Sequence, residues 1–433
     1  MLSWDKTPAI SSMRCTRAWV EIDLEALADN VRSLKSLLAP GTDLMSVVKA
    51  DAYGHGAVTV ARVALRSGAT WLGVATVPEG IELRQAGISA PILVMGAVND
   101  PIEVRAIARW QLQPTIVNPK QALVFSETLA TSGQTTPLPV HLKIDTGMSR
   151  LGFRWQKAVE FAQLVQQLPY LKIVSLYSHL ATADSPDTTV MQQQHKRFAQ
   201  AIADLTQAGL CPPRLHLANS AATIANSALH YDMVRVGLAT YGLYPAPHLQ
   251  PAQKHSLAEK TTEEHTVGFQ QSISLKPVLS VKAKITHIKN LLPGDGVSYS
   301  HKFVATQPMR IAIVGIGYAD GVPRLLSNRL EVLLKGQRVK QLGAITMDQL
   351  MLDISTVDDV QENDVVTLLG TSHASACRAG SLSADTWANL TDTISWEILC
   401  GFKHRLPRIT LSSTQPSIVN ERGDAVRVLS EPS

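Results

Sequence analysis

From residue 43 onward, short apolar runs alternate with longer segments in which apolar residues recur at i, i+3 and i+4. The runs are DLMSVVKA (43–50), TWLGVATV (70–77), PILVMGAV (91–98), LQPTIVN (112–118), LPVHLKID (138–145), KIVSLYSHL (172–180), RLHLANS (214–220) and MVRVGLATYGL (233–243). Nearly continuous apolar runs are what strands buried on both faces require. The segments between them, such as VTVARVALRSG, EVRAIARWQ, KAVEFAQLVQQLP and QQQHKRFAQAIADLTQAG, have helical periodicity and end at Gly or Pro. Eight strand-then-helix units predict an α/β fold whose N-terminal part, residues 17–245, is a (β/α)8 barrel of the TIM type. A doubly wound open sheet would ordinarily carry a GxGxxG turn after its first strand, and this chain has none there.

The period then changes. Residues 246–271 are polar, Pro-bearing and mixed in charge, and read as a linker or surface excursion. Residues 272–410 bring alternating runs: SVKAKITHIK, RIAIVGIGYADG running from strand into turn, and LEVLLKGQRVKQLGAITMDQLMLDIS with strand pairs broken at KGQ and MDQ. These predict a smaller, mostly β C-terminal domain. The tail, 411–433, rich in Ser and mixed charge, is expected to fray.

Composition narrows the partners. The 433 residues carry 40 basic and 36 acidic side chains, net +4, with no block of Lys or Arg, which argues against nucleic acid as a partner. The four cysteines are far apart and show no metal-ligand spacing, so no metal site is expected. The N-terminus has no signal-like apolar stretch, and no segment approaches the ~18 apolar residues of a membrane span. A cytoplasmic protein without membrane attachment is the expectation.

Active sites of β/α barrels form at the C-terminal ends of the strands, so polar residues there count separately. Lys49 ends the first run; Lys143 and Asp145 end the fifth, followed by Arg150; His179 ends the sixth; His216, Asn219 and Ser220 lie on or just after the seventh; Arg235 is inside the eighth. A lone His in an apolar strand is ordinarily a satisfied core residue, but a guanidinium within a barrel strand must be paired or face a ligand. A buried lysine of lowered pKa suits Schiff-base chemistry with an aldehyde, of which pyridoxal phosphate is the commonest cofactor. Ser220 and Gly237, at the last βα turns, are placed to cradle a phosphate.

These residues lie within motifs that resemble the alanine racemase family: AWVEIDLEALADN (18–30), VVKADAYGHGA, LKIDTGMSRLGF (142–153), SHLATAD (178–184), HLANSAA (216–222), VRVGLATYGLYP (234–245), GVSYSHKF (296–303), GIGYADGVPR (315–324), ITMDQLMLD (345–353) and ISWEILCGFKHRLPR (394–408). The resemblance implies interconversion of L- and D-alanine with pyridoxal 5′-phosphate, supplying D-alanine for peptidoglycan. It implies that Lys49 holds the cofactor and serves as the base on the D side, with Tyr299 as the base on the L side. His179 would partner the tyrosine and His216 would contact Arg235, which would face the pyridine nitrogen. Tyr53, Ser220, Gly237 and Leu238 match phosphate-binding positions. Arg150 matches the arginine at the cofactor's phenolic oxygen and the substrate carboxylate, and Lys143 the lysine beside it, which is carbamylated in some members. Met347 and Asp348 match substrate positions, and Tyr318 an entrance tyrosine. The resemblance further implies a homodimer in which Tyr299, Tyr318 and Met347 reach the barrel site of the other subunit. Two positions depart from the family pattern: Trp396 replaces a tyrosine whose hydroxyl touches the phosphate, and Thr346 replaces a cysteine found in many members. Serine or a broader amino-acid range, a related decarboxylase and a non-catalytic pyridoxal-phosphate carrier are the alternatives. The last two fit less well: the decarboxylase would need a carboxylate near the pyridine nitrogen, and the carrier would lack the β domain.

Overall fold

Strands buried on both faces need closure, and the first eight-stranded system nearly achieves it. The computed structural model describes residues 17–133, 135–251, 273–370, 381–402 and 404–411, with two short strands at 417–419 and 425–427. Its contacts divide into two units: Ala26–Ala52 with Ala57–Lys276, and Met1–Glu25 with Tyr53–Gly56 and Pro277–Ser433.

Among the described residues the first strand is β1 (Ala18–Asp23). The first unit then contains β2 (Asp43–Val47), β3 (Trp71–Val74), β4 (Ile92–Ala97), β5 (Gln113–Ile116), β6 (Leu138–Asp145), β7 (Phe153–Arg154), β8 (Leu171–Tyr177), β9 (Leu215–His216) and β10 (Met233–Val236). All but β7 form one parallel sheet in the order β10-β2-β3-β4-β5-β6-β8-β9, with β7 paired to β6. β9 and β10 bring the sheet to near closure, since the Asp232 N–H donates to the Leu215 carbonyl and the Arg235 N–H to the Ala218 carbonyl, each at 3.0 Å. Met45, Trp71, Leu93, Tyr177 and Met233 pack into a common core.

Helix starts follow local chemistry. Asp100 and Asn118 each precede a proline at the first helical position, and their side chains accept from Ile102 N–H and Gln121 N–H. Glu79 reaches back to the Thr76 N–H as the far end of a capping box.

The second unit contains β11 (Leu279–Leu291), β12 (Gly296–Val297), β13 (Phe303–Val304), β14 (Met309–Val314), β15 (Glu331–Leu334), β16 (Gln337–Leu342), β17 (Leu350–Asp353), β18 (Val365–Leu369), β19 (Arg408–Leu411), β20 (Ser417–Val419) and β21 (Ala425–Arg427). The long β11 pairs with both β14 and β18, so that β14-β17-β16-β15-β18-β11 form a six-stranded ring. The KGQ break is a two-residue hairpin, with Lys335 at φ 49° and Gly336 at φ 78° as its turn.

Three expectations change. β1, inside the span expected for the barrel, pairs antiparallel with β11 and parallel with β19, in the other sheet. The seventh and eighth barrel strands are shorter than the apolar runs that announced them: Ser220 begins the helix Ser220–Ala225, and Leu238 begins the 3-10 turn Leu238–Tyr241. The tail is not wholly frayed, because β20 and β21 continue the sheet beyond β19. Of the 246–271 excursion, residues 252–271 lie outside the described residues. Among the described residues no helix is long and apolar enough to cross a membrane.

Candidate active site

β2 ends at Val47, and Lys49 begins the segment Lys49–Gly54 rather than ending a strand. Ala50, Asp51, Ala52 and Tyr53 have φ between 52° and 55°, so this helical turn is left-handed, a conformation costing roughly 1–2 kcal/mol per L-residue. Four bonds hold it: Glu79 Oε1 accepts from Ala50 N–H and Asp51 Oδ1 from Ala57 N–H, both at 2.8 Å, while Ala52 N–H donates to Val48 O and Val48 N–H to Gly73 O. The Tyr241 hydroxyl donates to Val47 O at 2.8 Å, fixing the strand end just before Lys49. Strained backbone held in place in this way clusters at functional sites.

Arg235 is the hub. It is buried, with Nη1 donating to His216 Nδ1 at 3.0 Å and Nη2 to the carbonyls of Ser178 (2.7 Å) and Leu217 (3.1 Å), with His179 Nδ1 at 3.2 Å. Its carbon lies 5.1 Å from the Tyr177 ring centroid, and Lys143 Nζ lies 5.2 Å from the same ring. Burial lowers the Arg235 pKa to about 10, which leaves it charged at neutral pH. Burial, then Arg235, Arg150 and Lys49, hold Lys143 down to about 7. His179 and His216 lie well below the ordinary histidine value, through burial first and the nearby cations second. Both imidazoles are therefore neutral.

Lys143, Arg150, Ser178 and His179 line one recess. Asp145 shapes its edge, with one carboxylate oxygen accepting the backbone N–H groups of Gly147, Met148 and Ser149 at 2.9–3.1 Å. Ser220 Oγ accepts from Gly237 N–H at 3.0 Å and Ala239 N–H at 3.4 Å, tying together two helical starts, with Asn219 capping the first. This unit thus gathers Lys49, Lys143, Arg150, His179, His216, Ser220, Arg235, Gly237 and Leu238 at its strand ends. The donor set suits pyridoxal phosphate: an amine for the aldehyde, a buried guanidinium for the pyridine nitrogen, a hydroxyl with helical N-termini for the phosphate, and cations for further negative charge.

The second unit holds the other expected residues. Tyr299 is 68% exposed, in a turn where Ser298, Ser300 and His301 all have positive φ. Tyr318 N–H and Ala319 N–H donate to the carbonyls of Thr346 and Met347 at 3.0 Å, which pins the Tyr318 turn to the Met347 turn. Beneath that turn the buried Asp320 takes two hydrogen bonds from Arg17. The Asp348 carboxylate accepts a hydrogen bond from Arg405 at 2.7 Å. Trp396 is half-buried in the helix Ser395–Gly401. Tyr53 is buried, and burial, then Cys400, raises its phenol's pKa. His55 is buried with Nδ1 3.0 Å from Tyr53 O, a structural place.

Sequence reasoning missed Tyr177, which stacks on His216 at 4.6 Å, and three residues bonded in series beyond His216: Ser175, His141 and Gln113. One signal was available: His141 lies two residues before Lys143, hence on the same face of β6.

The sequence profile of the alanine racemase N-terminal domain matches residues 22–245, and that of the C-terminal domain residues 278–410. Alanine racemases of Nostoc sp. and Synechocystis sp. are 61% and 58% identical to the chain over 91% of its length and 95% and 99% of theirs. Among solved structures, alanine racemase of Clostridium difficile superposes with a TM-score of 0.83 at 32% identity, over 94% of this chain and 99% of that one. The alanine racemase of Bacillus anthracis with bound L-Ala-P gives a TM-score of 0.81 at 32% identity, covering 95% and 97%.

Proposed function

The chain belongs to the alanine racemase family, and from that premise we propose a two-base racemisation of alanine on pyridoxal 5′-phosphate, with Lys49 and Tyr299 as the bases. When bound, the cofactor supplies an electron sink that acidifies the substrate Cα–H. Inverting a carbon requires a proton to leave one face and another to arrive on the opposite face, so two separately held bases are needed. Lys49 would hold the cofactor and exchange a proton at Nζ on one face; Tyr299 would do so at its phenolic oxygen on the other.

An ordinary phenol, with a pKa near ~10, is a poor base at neutral pH. His179 helps. Its Nδ1 faces a guanidinium, which can only donate, so its own proton sits on Nε2 and can be donated to a phenol oxygen, favouring the phenolate.

The observation that carries the reading is Arg235 itself. A guanidinium buried in the barrel, charged and flanked by two neutral imidazoles, can donate a hydrogen bond to a pyridine nitrogen without surrendering a proton. Arg235 would thereby leave that nitrogen unprotonated, which would moderate the electron sink and restrain side reactions such as transamination. Ser220, Gly237 and Leu238 would hold the phosphate, joined by Tyr53 and, through its indole N–H, Trp396. Arg150 and the Met347 and Asp348 backbone would hold the substrate carboxylate, with Tyr318 at the entrance. The exposure of Tyr299 supports a homodimer in which each barrel receives Tyr299, Tyr318 and Met347 from a second copy. We place the enzyme in the cytoplasm, making D-alanine for peptidoglycan.

Purified protein given pyridoxal phosphate and L-alanine, with L-serine in parallel, is expected to yield D-alanine on chiral separation. No D-alanine would overturn the reading, and equal D-serine would widen it. Lys49→Ala should lose the absorbance band of the bound cofactor; persistence of that band would place the cofactor lysine elsewhere.

A further inference from the structure

Hydrogen bonds run in series from Arg235 across the barrel interior. His216 Nδ1 is 3.0 Å from Arg235 Nη1, and His216 Nε2 is 3.1 Å from Ser175 Oγ; Ser175 Oγ is 2.5 Å from His141 Nδ1, and His141 Nε2 is 2.9 Å from Gln113 Oε1. The five residues come from five successive strands of the sheet and its closing seam, β10, β9, β8, β6 and β5. His141, Ser175 and His216 are fully buried.

Only one direction is possible. A guanidinium has no acceptor, so His216 Nδ1 must accept and its proton must lie on Nε2. That proton goes to Ser175 Oγ. The single proton of Ser175 therefore goes to His141 Nδ1, which leaves His141 protonated on Nε2 and donating to Gln113 Oε1. The reverse direction would set a His216 N–H against an Arg235 N–H, donor against donor. Ring packing restricts reorientation: His216 stacks on Tyr177 at 7°, and His141 meets Trp71 edge-on at 5.5 Å.

We propose that Ser175 and His141 are positioning residues for Arg235, holding its guanidinium through a one-way hydrogen-bond chain whose direction Arg235 itself imposes. Each member presents an acceptor toward Arg235 and a donor away from it. The chain fixes the plane of His216 and offers no mobile proton on the Arg235 side. The proposal rests on the racemase reading for what the positioned guanidinium serves, but its geometry is testable without it.

Nitrogen-15 histidine NMR on the full chain without cofactor provides that test. His141 and His216 should both be protonated on Nε2 and stay so across about pH 6 to 9. Arg235→Leu should move the His141 ring-nitrogen signals toward a tautomer mixture although His141 does not touch Arg235, because the Ser175 hydroxyl is then free to turn. In the loaded enzyme, Ser175→Ala should lower kcat about tenfold with KM within about twofold, and Ser175→Thr, which keeps the hydroxyl, should recover most of the loss. A wild-type His141 protonated on Nδ1, or a Ser175→Ala enzyme with wild-type kcat, would overturn the proposal. If Arg235→Leu does not fold, the wild-type spectrum and the Ser175 pair still decide. The expected tautomers in a protein that makes no D-alanine would uphold the chain and overturn the racemase reading instead.

Discussion

Burial sets the protonation of the site's imidazoles, and this leaves a mark on stability. His141 is held down to about 3, and His179 and His216 lie well below 6.5, chiefly through desolvation. In the unfolded chain all three take up protons near pH ~6.5, while in the folded chain they do not. The unfolded state therefore binds more protons below that pH, and stability falls as the pH drops through it. Lys143, at about 7 folded against 10.5 unfolded, acts in the same sense across its own higher window, adding stability as the pH rises from about 7 to 10.5. The urea midpoint at pH 5 is expected below that at pH 7.5, and replacing His141 by Asn should flatten the dependence by up to ~1.4 kcal/mol per pH unit on the acid side. An unchanged slope in His141→Asn would show that this imidazole protonates in the folded state.

At the scale of elements, loop 145–152 depends on a close approach. Gly152 has φ 127°, and a Cβ placed there would lie 2.7 Å from Asp145 N and Ile144 C. Gly152→Ala must therefore displace the end of β6, which carries Lys143, and is expected to cost roughly 2 kcal/mol or more by chemical denaturation. A loss within experimental error of zero would refute the strained contact. The elements themselves were legible to different degrees. All eight barrel strands could be read because burial on both faces leaves continuous apolar runs, as in LPVHLKID, where the expected and observed limits coincide at 138–145. Local pattern extended the last two strands too far, because VGLATYGL stays apolar after the backbone turns at Gly237. The partners of β1 were not legible, since alternation in AWVEID says which face is buried but not which strand lies beside it. The motif series named the polar residues that the first unit brings to its strand ends as the candidate site. Ser175, His141 and Gln113 escaped because a short polar residue in an apolar strand acquires meaning only when its neighbours across the barrel are known.

For the whole molecule, the proposed dimer is the point of leverage. Tyr299 is 68% exposed and Met347 52%, on a unit that also exposes Leu325 and Ile394, side chains suited to burial against another copy. If sites are shared, a Lys49→Ala chain and a Tyr299→Phe chain, each inactive alone, should recover about a quarter of wild-type activity when unfolded and refolded together at equal amounts, because each mixed dimer keeps one intact site. Absence of recovery, with mixed dimers shown by mass, would put Lys49 and Tyr299 of one site on a single chain.

The pairing of β1 has a further consequence, for synthesis. This strand is made long before the partners it needs, since Ala18 pairs with Ala283 and Val20 with Arg408. At about 5–20 residues per second, an apolar strand with open edges waits roughly 20–80 s for its neighbours. All strands of the first unit, which end at Val236, precede β11 in the sequence, so they are synthesised while both edges of β1 still lack their partners.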